Sequence, residues 1–592
     1  MFLFNHDEII ERLRKYPLFN TFSIDLLRKL IAHSEIIESP ADTILFHIHQ
    51  PSDYVYYIID GYVELFSSSS FEKKIASIRS GGMVGETSVL ADEAHGFSAK
   101  TNKLSQLIKM DKNIFLEFFE KDPQVLMQLT QNVARRLRRM VMGFTSDRYP
   151  FKNIVLYNSS PKIQLEKFKH YFQMCAPQDN THIYDKKDFE ATNLDIIPFL
   201  FQCENKPGIN IFLVEANEDV WDKTVLFHAE YIYLVTTEDA WNAIPLDVID
   251  GENSRPCDLV IWHDQPPPYN NTQRFYDQYA FKRHHHFQDE KAAYQRLYRF
   301  MTGQAIGLVI SAGGFRGYAH YGIIKALLES GTPIDCIGGC SFGATIGAGL
   351  AENFDWQQFE IIYEKSFVKL KNNKLFNFTL PFTSLLSGKV PTNLLQEIYE
   401  HRRIEDLPIN FFCVTGNLSI RQKELKRFGE IWEWLRASIA VPGIFPPLEK
   451  DGNIYVDGAV CTSLPVQDMR EYLDGAGKII SLDVRLLLLL KDKHKYNFPP
   501  ILGLKDIIAY KLGFSKNNYV LPNILDILLE SSSIDQHMSD DVAAKKADII
   551  IAPDTSSLSF SNPSIGDPQS LIAYTLAKEK LKEHEDMFAR WL

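Results

Sequence analysis

The chain has little of several features that mark particular protein classes. Its seven cysteines are an odd number, and only Cys336 and Cys340 lie close together. This spacing excludes a disulfide framework and a C-x-x-C metal clip, and it suits a reducing compartment. No apolar stretch approaches the roughly 20 residues that cross a bilayer, and the N-terminus turns acidic and polar after four residues, without a secretory apolar region. We therefore expect a cytoplasmic chain, either free or peripheral on the inner face of a membrane.

An excess of positive charge is also missing. The chain has 63 Lys and Arg against 75 Asp and Glu, a formal net charge of −12. This balance argues against a protein that grips nucleic acid through its phosphates, but a membrane surface could still be met through apolar contacts. With 592 residues, 45% of them hydrophobic, the chain is long enough for several packed domains.

Residues 1–145 are predicted to form a small antiparallel barrel with flanking helices. Leu26, Leu27, Leu30 and Ile31 recur at helical spacing, alternating strand-like segments follow, and a further helix is predicted over 123–142. The pattern resembles a cyclic nucleotide-binding domain, in which YIIDGYVEL and Val84-Gly85-Glu86 correspond to the strand pair and the phosphate cassette. The resemblance implies that Glu86 would take the ribose hydroxyl. The Arg that pairs with the cyclic phosphate in that family is replaced by Phe97, which cannot form charge-assisted bonds, so we expect a domain that no longer binds cyclic nucleotide.

Residues 150–300 alternate strand-like and helix-like segments, which predicts a modest α/β linking unit without chemistry of its own. His284-His285-His286 invites interpretation as a metal site. Three adjacent side chains cannot all face one ion on regular backbone, however. With Lys282 and Arg283 beside them, we interpret these histidines as part of a solvated helix face.

Two glycine-rich loops follow consecutive predicted strands after Ile306. The first is Gly313-Gly314-Phe315-Arg316-Gly317, and the second is Gly339-Cys340-Ser341-Phe342-Gly343. A G-x-S-x-G between a strand and a helix is typical of a nucleophile elbow, in which a tight turn presents the serine oxygen above the sheet edge. The alternative is a packing serine in a crowded turn.

The first glycine loop has two interpretations. A dinucleotide-binding loop would use Asp335 for the ribose, but its G-x-G-x-x-G requires glycine where this chain has Ala312. An oxyanion hole would use successive backbone N–H groups at the loop–helix junction. The second interpretation is favoured because it accounts for both loops together.

A serine nucleophile needs a base, and Asp457-Gly458-Ala459 ends a short predicted strand. An aspartate at a strand terminus beside an elbow can accept the serine proton directly. An ordinary Asp-Gly turn is the alternative. Histidines that could complete a triad lie in no motif that would place them: His401, His494, His537 and His584.

These motifs, with RASIAVPGIFPPLEKDGNIYVDGAV around the aspartate, resemble the patatin-like phospholipase family and its neuropathy target esterase branch in a bacterial form. The resemblance implies a three-layer α/β/α catalytic core over 306–470, completed by 471–592. It also implies a Ser341–Asp457 dyad without histidine and an oxyanion hole at Gly313 and Gly314. The remaining motif residues have supporting roles by the same resemblance: Arg316 and Gly317 support the oxyanion loop, Gly339 and Gly343 flank the nucleophile, and Gly458 and Ala459 complete the D-G-A motif.

The function implied is hydrolysis of acyl esters in phospholipids or lysophospholipids through an acyl-enzyme, with transient contact to a membrane surface and no metal or cofactor. Apolar segments at 485–491 and 521–530 are candidates for that contact. The alternative is a catalytically weak adaptor that senses a membrane or a nucleotide through its N-terminal barrel. Retention of Ser341, Asp457 and both glycine sets favours the enzyme.

Overall fold

The computed structural model describes residues 22–120, 151–239, 256–361, 378–485, 544–555 and 568–591, apart from short gaps within these ranges and a few isolated positions outside them. Three sheet-containing units follow one another along the chain. None of the helices in these ranges is both long and apolar enough to cross a membrane. The helix predicted over 123–142 and the apolar segments at 486–491 and 521–530 lie outside the described residues.

The first unit confirms the predicted barrel. Two four-stranded antiparallel sheets, in the orders β1-β8-β3-β6 and β2-β7-β4-β5, pack face to face. Their strands are β1 (Glu35–Ser39), β2 (Ile44–Phe46), β3 (Tyr54–Asp60), β4 (Tyr62–Phe66), β5 (Lys74–Arg79), β6 (Met83–Val84), β7 (Ser98–Thr101) and β8 (Ser105–Asp111). The accompanying helices are α1 (Ile24–Ala32), α2 (Glu86–Ala91) and α3 (Lys112–Glu120). Helix α1 begins at Ser23, whose hydroxyl accepts the Leu26 N–H, and it buries Leu27, Leu30 and Ile31 as the spacing predicts.

The linking unit is a six-stranded parallel sheet in the order β10-β11-β9-β12-β13-β14. Its near-continuous apolar strands are typical of a sheet covered by helices on both faces. The strands are β9 (Asn153–Asn158), β10 (Thr181–Tyr184), β11 (Ile209–Glu215), β12 (Tyr231–Thr237), β13 (Cys257–Trp262) and β14 (Arg283–Phe287). The helices are α4 (Leu165–Cys175), α5 (Lys186–Glu190), α6 (Ile196–Asn205), α7 (Val220–His228), α8 (Gln273–Tyr276) and α9 (Lys291–Met301).

The interpretation of His284, His285 and His286 as a solvated helix face is wrong, because they form the buried strand β14. Most of their ring nitrogens contact polar atoms across the junction with the next unit or within the sheet, whereas His284 Nε2 has no hydrogen-bond partner among the described residues. His285 Nε2 lies 3.0 Å from a carboxylate oxygen of Asp258, and His286 Nε2 lies 2.9 Å from the carbonyl oxygen of Glu405. Burial holds the pKa of His284 at about 3, so its ring is neutral.

The third unit is built on an eight-stranded sheet in the order β19-β20-β17-β16-β15-β21-β22, with β18 also paired to β17. The pairs that join β15, β16, β17, β21 and β22 are parallel. The strands are β15 (Ile306–Ile310), β16 (Cys336–Cys340), β17 (Asn410–Asn417), β18 (Gln422–Lys426), β19 (Leu448–Lys450), β20 (Asn453–Asp457), β21 (Lys478–Leu482) and β22 (Ile549–Ile551). The helices are α10 (Tyr318–Glu329), α11 (Phe342–Ala351), α12 (Lys389–Tyr399), α13 (Ile431–Ser438), α14 (Val466–Tyr472), α15 (Pro568–Glu583) and α16 (Glu585–Phe588). This α/β architecture confirms the predicted fold class.

The sheet of the linking unit and the sheet of the third unit share one apolar core. Buried ion pairs also join the two units. One cluster of buried side chains includes Phe287 of the linking unit and Val309 of β15. Arg283 contacts Asp258 within its own sheet at 2.8 Å and Asp474 of the third unit at 2.9 Å. These contacts tie the linking unit directly to the sheet that carries the glycine loops.

Asp335 is the residue that a dinucleotide-binding loop would have used for the ribose. In the structure its carboxylate is already hydrogen-bonded to protein groups. Its carboxylate accepts two hydrogen bonds from the Arg299 guanidinium, at 2.8 and 2.6 Å, and one from the Ile306 N–H at 2.8 Å. Because the carboxylate is buried and used by these donors, it braces the start of β15.

Candidate active site

The turn between β16 and α11 holds Ser341 in a strained conformation. Its φ of 52° and ψ of −126° lie in a region that non-glycine residues rarely adopt. The side chain is 7% exposed, so it opens to the surface only narrowly. Strain of this kind persists only where the surroundings enforce it, and it is frequent at functional sites.

Crowding on both sides of Ser341 explains its flanking glycines. A methyl group at Gly339 would stand 2.6 Å from the Cα of Ala344. One at Gly343 would stand 2.4 Å from the carbonyl oxygen of Ser311, at the end of the neighbouring strand. Side-chain carbons cannot approach backbone atoms so closely, so the G-x-S-x-G pattern here is a requirement of packing.

The structure brings Ser341 and Asp457 together although 116 residues separate them. The Ser341 hydroxyl donates to Asp457 Oδ2 at 2.7 Å. Asp457 is the last residue of β20, which pairs antiparallel with β17 so that Asp457 stands opposite Thr415. Because β17 is also the parallel neighbour of β16, Asp457 and Ser341 meet at the same edge of the sheet.

Burial controls the electrostatics of this pair. Asp457 is 1% exposed, and desolvation raises its pKa to about 7 although hydrogen bonds from Ser341 and the Ala459 amide oppose the rise. The Ala459 N–H donates to Oδ1 at 2.8 Å, which leaves Oδ2 directed at the serine. An aspartate with a pKa near neutrality accepts a proton far better than one with an ordinary value.

Sequence reasoning missed Ser438, which fixes the backbone of the elbow. The Ser341 N–H donates to Ser438 Oγ at 3.0 Å, and the Ser438 hydroxyl donates to the Val414 carbonyl at 2.7 Å. Ser438 is fully buried at the end of α13. The RASIAVPG block contains it, but nothing local in that block indicates a partner 97 positions away.

Two backbone amides of the first glycine loop have no acceptor in the part of the chain that the structure describes and can donate to a ligand. The Ala312 N–H donates to the Ser463 carbonyl at 2.8 Å, whereas the amides of Gly313 and Gly314 donate to no protein atom among the described residues. Gly314 has a φ of 53°, and the Arg316 N–H donates back to the Gly313 carbonyl at 3.1 Å, closing a 3-10 turn at Gly314–Gly317. Two neighbouring free N–H groups at a helix start form the kind of concavity that binds a negative oxygen.

Close packing joins this loop to the elbow and the aspartate turn. A methyl group at Gly317 would overlap the ring of Phe342, the first residue of α11, and one at Gly458 would stand 2.4 Å from the Val414 carbonyl. The methyl of Ala312 is 8% exposed and belongs to the buried cluster around Val309. It therefore packs into the core.

The two candidate triad histidines that the structure describes, His401 and His584, contact other groups than the dyad. His401 has a side chain that is 94% exposed and faces Glu430, and His584 Nδ1 lies 2.9 Å from the Lys580 carbonyl. His494 and His537 lie outside the described residues. His320, which is fully buried, contacts the Ser311 carbonyl through Nε2, and burial lowers its pKa to about 4.

The other predicted site residue, Glu86, lies far from this chemistry in sequence and in unit. It is the first residue of α2 in the N-terminal barrel and is fully buried. The structure does not bring it together with the dyad residues, and its part in nucleotide binding stays a prediction.

Two regions of the chain match known protein families. Residues 308–470 match the patatin-like phospholipase model, and residues 36–122 match the cyclic nucleotide-binding domain model. An NTE family protein of Mycobacterium tuberculosis is 24% identical over 566 residues, covering 93% of this chain and 92% of the relative.

Other relatives align over a shorter region. A lysophospholipase of Saccharomyces cerevisiae is 35% identical over 209 residues, and a patatin-like phospholipase domain-containing protein of Rattus norvegicus is 36% identical over 204 residues. These matches cover 35% and 33% of this chain but only 12% and 15% of the relatives. The chain is thus a hydrolase with a patatin-like phospholipase domain over residues 308–470, and a domain of the cyclic nucleotide-binding type precedes it over residues 36–122.

Proposed function

We propose that the chain is a serine esterase that cleaves acyl ester bonds of phospholipids or lysophospholipids. The observation that carries the proposal is the 2.7 Å hydrogen bond from Ser341 to the buried Asp457 carboxylate, whose raised pKa suits a general base. The class of substrate is supported by the patatin-like phospholipase match and by the lysophospholipase among the relatives.

The reaction would proceed in two halves. Asp457 takes the hydroxyl proton while Ser341 Oγ attacks the acyl carbonyl, and the Gly313 and Gly314 amides bind the resulting oxyanion. Each such donor lowers the barrier by roughly 2.7–4 kcal/mol. Collapse breaks the ester bond, and Asp457 delivers its proton to the leaving alcohol oxygen. Water then attacks the acyl-enzyme and gives a proton to Asp457. The second tetrahedral intermediate collapses to release the fatty acid, and Asp457 returns that proton to Ser341 Oγ.

A non-catalytic adaptor is the competing function. It would require neither the strained Ser341 backbone nor a carboxylate buried against the serine at a cost in free energy. A fluorophosphonate probe separates the two: covalent labelling that is lost in Ser341→Ala supports the esterase, and absence of labelling in the native chain supports the adaptor.

An exposed apolar segment beside the site is suited to a phospholipid surface. Phe378, Leu380 and Phe382 lie in a short hairpin, in which the Phe382 N–H donates to the Leu380 carbonyl at 2.8 Å, and they are 75%, 74% and 92% exposed. The segment continues to Leu385, whose N–H donates to the Gly443 carbonyl at 2.9 Å. Three residues before Gly443, the Ala440 carbonyl accepts the N–H of Asp457, so the apolar segment is connected to the dyad through one short loop.

A second apolar patch extends from the same sheet edge. Leu418 directly follows β17, pairs with Ile454 through its N–H, and is half-exposed together with Ile420. Arg421 follows in the same hairpin, and Lys389 is the one charged residue in the stretch 378–396. Apolar side chains with neighbouring cations fit the interface of an anionic bilayer better than that of a soluble partner. We therefore propose that the chain contacts an anionic bilayer through these apolar side chains.

The dyad predicts a specific pattern of inactive variants. Ser341→Ala removes the nucleophile and Asp457→Asn removes the base, so each should lower kcat/KM on a soluble short-chain ester by at least about a thousandfold. Alanine at His401, His494 or His537 should change it less than about threefold. Equal loss in any histidine variant would replace the dyad by a triad.

The raised pKa of Asp457 predicts the pH profile. Only the ionised carboxylate can accept the serine proton, so kcat/KM should fall about tenfold per pH unit below pH 7 and level off above it. Initial rates on the same soluble ester from pH 5 to 9 test this. A rate that stays constant down to pH 5 would contradict the assigned base.

The same carboxyl should reduce stability at high pH. A folded pKa near 7, above the ordinary value near 3.9, favours the folded state at low pH, and this advantage is lost as pH rises through 7. At pH 8 the buried charge costs about 4 kcal/mol relative to an unperturbed carboxyl. Asp457→Asn cannot ionise, so its Tm should exceed that of the native chain by a margin that grows from pH 5 to pH 8.

A matched control for this stability measurement is Asp451→Asn. Asp451 is an exposed carboxylate on the turn that precedes β20. Its replacement should give a Tm difference that does not change with pH. A pH-independent difference at Asp457 as well would show that its burial does not shift its titration.

The apolar segment predicts separable effects on vesicles and on soluble ester. Leu380→Ser with Phe382→Ser should weaken sedimentation with phosphatidylcholine–phosphatidylglycerol vesicles by about tenfold or more, because two large apolar contacts are lost. Turnover of the soluble ester should not change. Val220→Ser, at an equally exposed apolar position on the linking unit, is the control. Unchanged vesicle binding in the double variant would remove this surface from the proposal.

A further inference from the structure

One short segment at the end of α13 contacts the backbone of both members of the dyad. The Ser341 N–H donates to Ser438 Oγ at 3.0 Å, and the Asp457 N–H donates to the Ala440 carbonyl at 2.9 Å. Only Ile439 separates these two acceptors along the chain. Residues 438–440, the bridging segment, therefore contact the nucleophile and the base, which lie 116 positions apart.

The bridging segment is itself held in place by the last turn of α13. The Ile439 N–H donates to the Leu435 carbonyl at 3.0 Å, and the Ala440 N–H donates to the Ala437 carbonyl at 3.0 Å. Ser438 and Ala440 are fully buried. Because hydrogen bonds and burial fix its position, the segment can hold the two backbone amides at a constant separation.

The Ser438 hydroxyl is used in both directions. It accepts the Ser341 N–H and donates its one proton to the Val414 carbonyl at 2.7 Å. The same carbonyl lies against the turn after Asp457, because a methyl group at Gly458 would stand 2.4 Å from its oxygen. The hydroxyl thus connects the elbow to the strand on which the aspartate turn packs.

Removal of this hydroxyl would leave the Ser341 N–H buried without an acceptor, which costs free energy. The N–H belongs to a residue with a φ of 52°, and such a backbone conformation persists only where its surroundings enforce it. Without Ser438 Oγ the elbow can relax, and relaxation would turn the Ser341 hydroxyl away from Asp457.

We propose that Ser438 is a positioning residue that fixes the backbone of Ser341 so that the Ser341 hydroxyl points at Asp457 Oδ2. It acts through the backbone of the elbow and through the Val414 carbonyl. The effect expected on catalysis rests on the proposed function, whereas the effect expected on the contact between Ser341 and Asp457 does not.

The titration of Asp457 reports on this alignment. The hydrogen bond from Ser341 lowers the pKa of the carboxyl against the larger effect of burial. Among the described residues, Cys461 lies within electrostatic reach of the same carboxylate, and Lys423, which lies near Cys461, is paired with Asp468 at 2.5 Å. If Ser341 turns away, the pKa of Asp457 rises further, whereas a general loss of stability leaves it unchanged.

Kinetics of Ser438→Ala on a soluble short-chain ester test the proposal. We expect kcat to fall by about tenfold to a hundredfold with KM changed less than about twofold, because substrate still binds while the attacking oxygen is misaligned. The midpoint of the acid limb of the kcat/KM profile should move upward by about half a pH unit. Ser438→Thr keeps the hydroxyl and should recover most of the native kcat.

Ser481→Ala is the matched control. Ser481 is fully buried on β21, and its hydroxyl has no hydrogen-bond partner in the described part of the chain. Its replacement should change neither kcat nor the pH midpoint. Native kcat in Ser438→Ala, or a lowered kcat with an unmoved pH midpoint, would overturn the proposal.

A stability cycle tests the same alignment without turnover. In the native chain the Tm changes caused by Ser341→Ala and Asp457→Ala at pH 8 should not add, since both variants remove the same hydrogen bond. In the Ser438→Ala background the two changes should add. Equal non-additivity in both backgrounds would refute the proposal whether or not the chain cleaves esters. A native chain that cleaves no ester would instead contradict the proposed function, and the cycle would still decide the role of Ser438.

Discussion

The hydrogen bond between Ser341 and Asp457 is the interaction on which the catalytic unit depends. Each partner is held in an unfavourable state: the serine in a left-handed backbone conformation and the carboxylate in a desolvated environment. Neither the strained backbone of Ser341 nor the buried carboxylate of Asp457 would persist without the residues packed around the pair. Close-packed glycines enforce the first, and the strand pairing of β20 with β17 enforces the second. The surrounding fold thus supplies the free energy that both side chains give up.

The linking unit extends this support outward from the site. Its buried Arg283 contacts a carboxylate of its own sheet and one from the third unit, and α9 contributes Arg299 to the start of β15. Breaking buried ion pairs of this kind leaves an unpaired charge, so the two sheets separate only at high cost. The unit therefore acts as part of the catalytic framework.

The sequence predicts best where packing leaves no choice of residue. Gly339 and Gly343 contact backbone atoms so closely that only glycine fits, and such positions are visible as a motif. The barrel and the parallel sheet were predictable for a similar reason, from strand alternation and apolar runs. His284–His286 were misjudged because their burial is decided by Glu405 and Asn410, more than a hundred positions away, while the local charges suggested solvent. Ser438 was missed because its role depends on the groups that it contacts in space, Ser341 and Val414, which lie far from it in sequence.

The order of the site along the chain has a consequence for synthesis. Ser341 leaves the ribosome long before Asp457, and β22 with α15 joins the sheet and the α10 face only near the end of translation. A nascent or prematurely terminated product that stops before residue 457 carries the Ser341 hydroxyl without its hydrogen-bond partner. Under the proposed function, ester cleavage would therefore begin only after the strand that carries Asp457 has been synthesised and paired with β17.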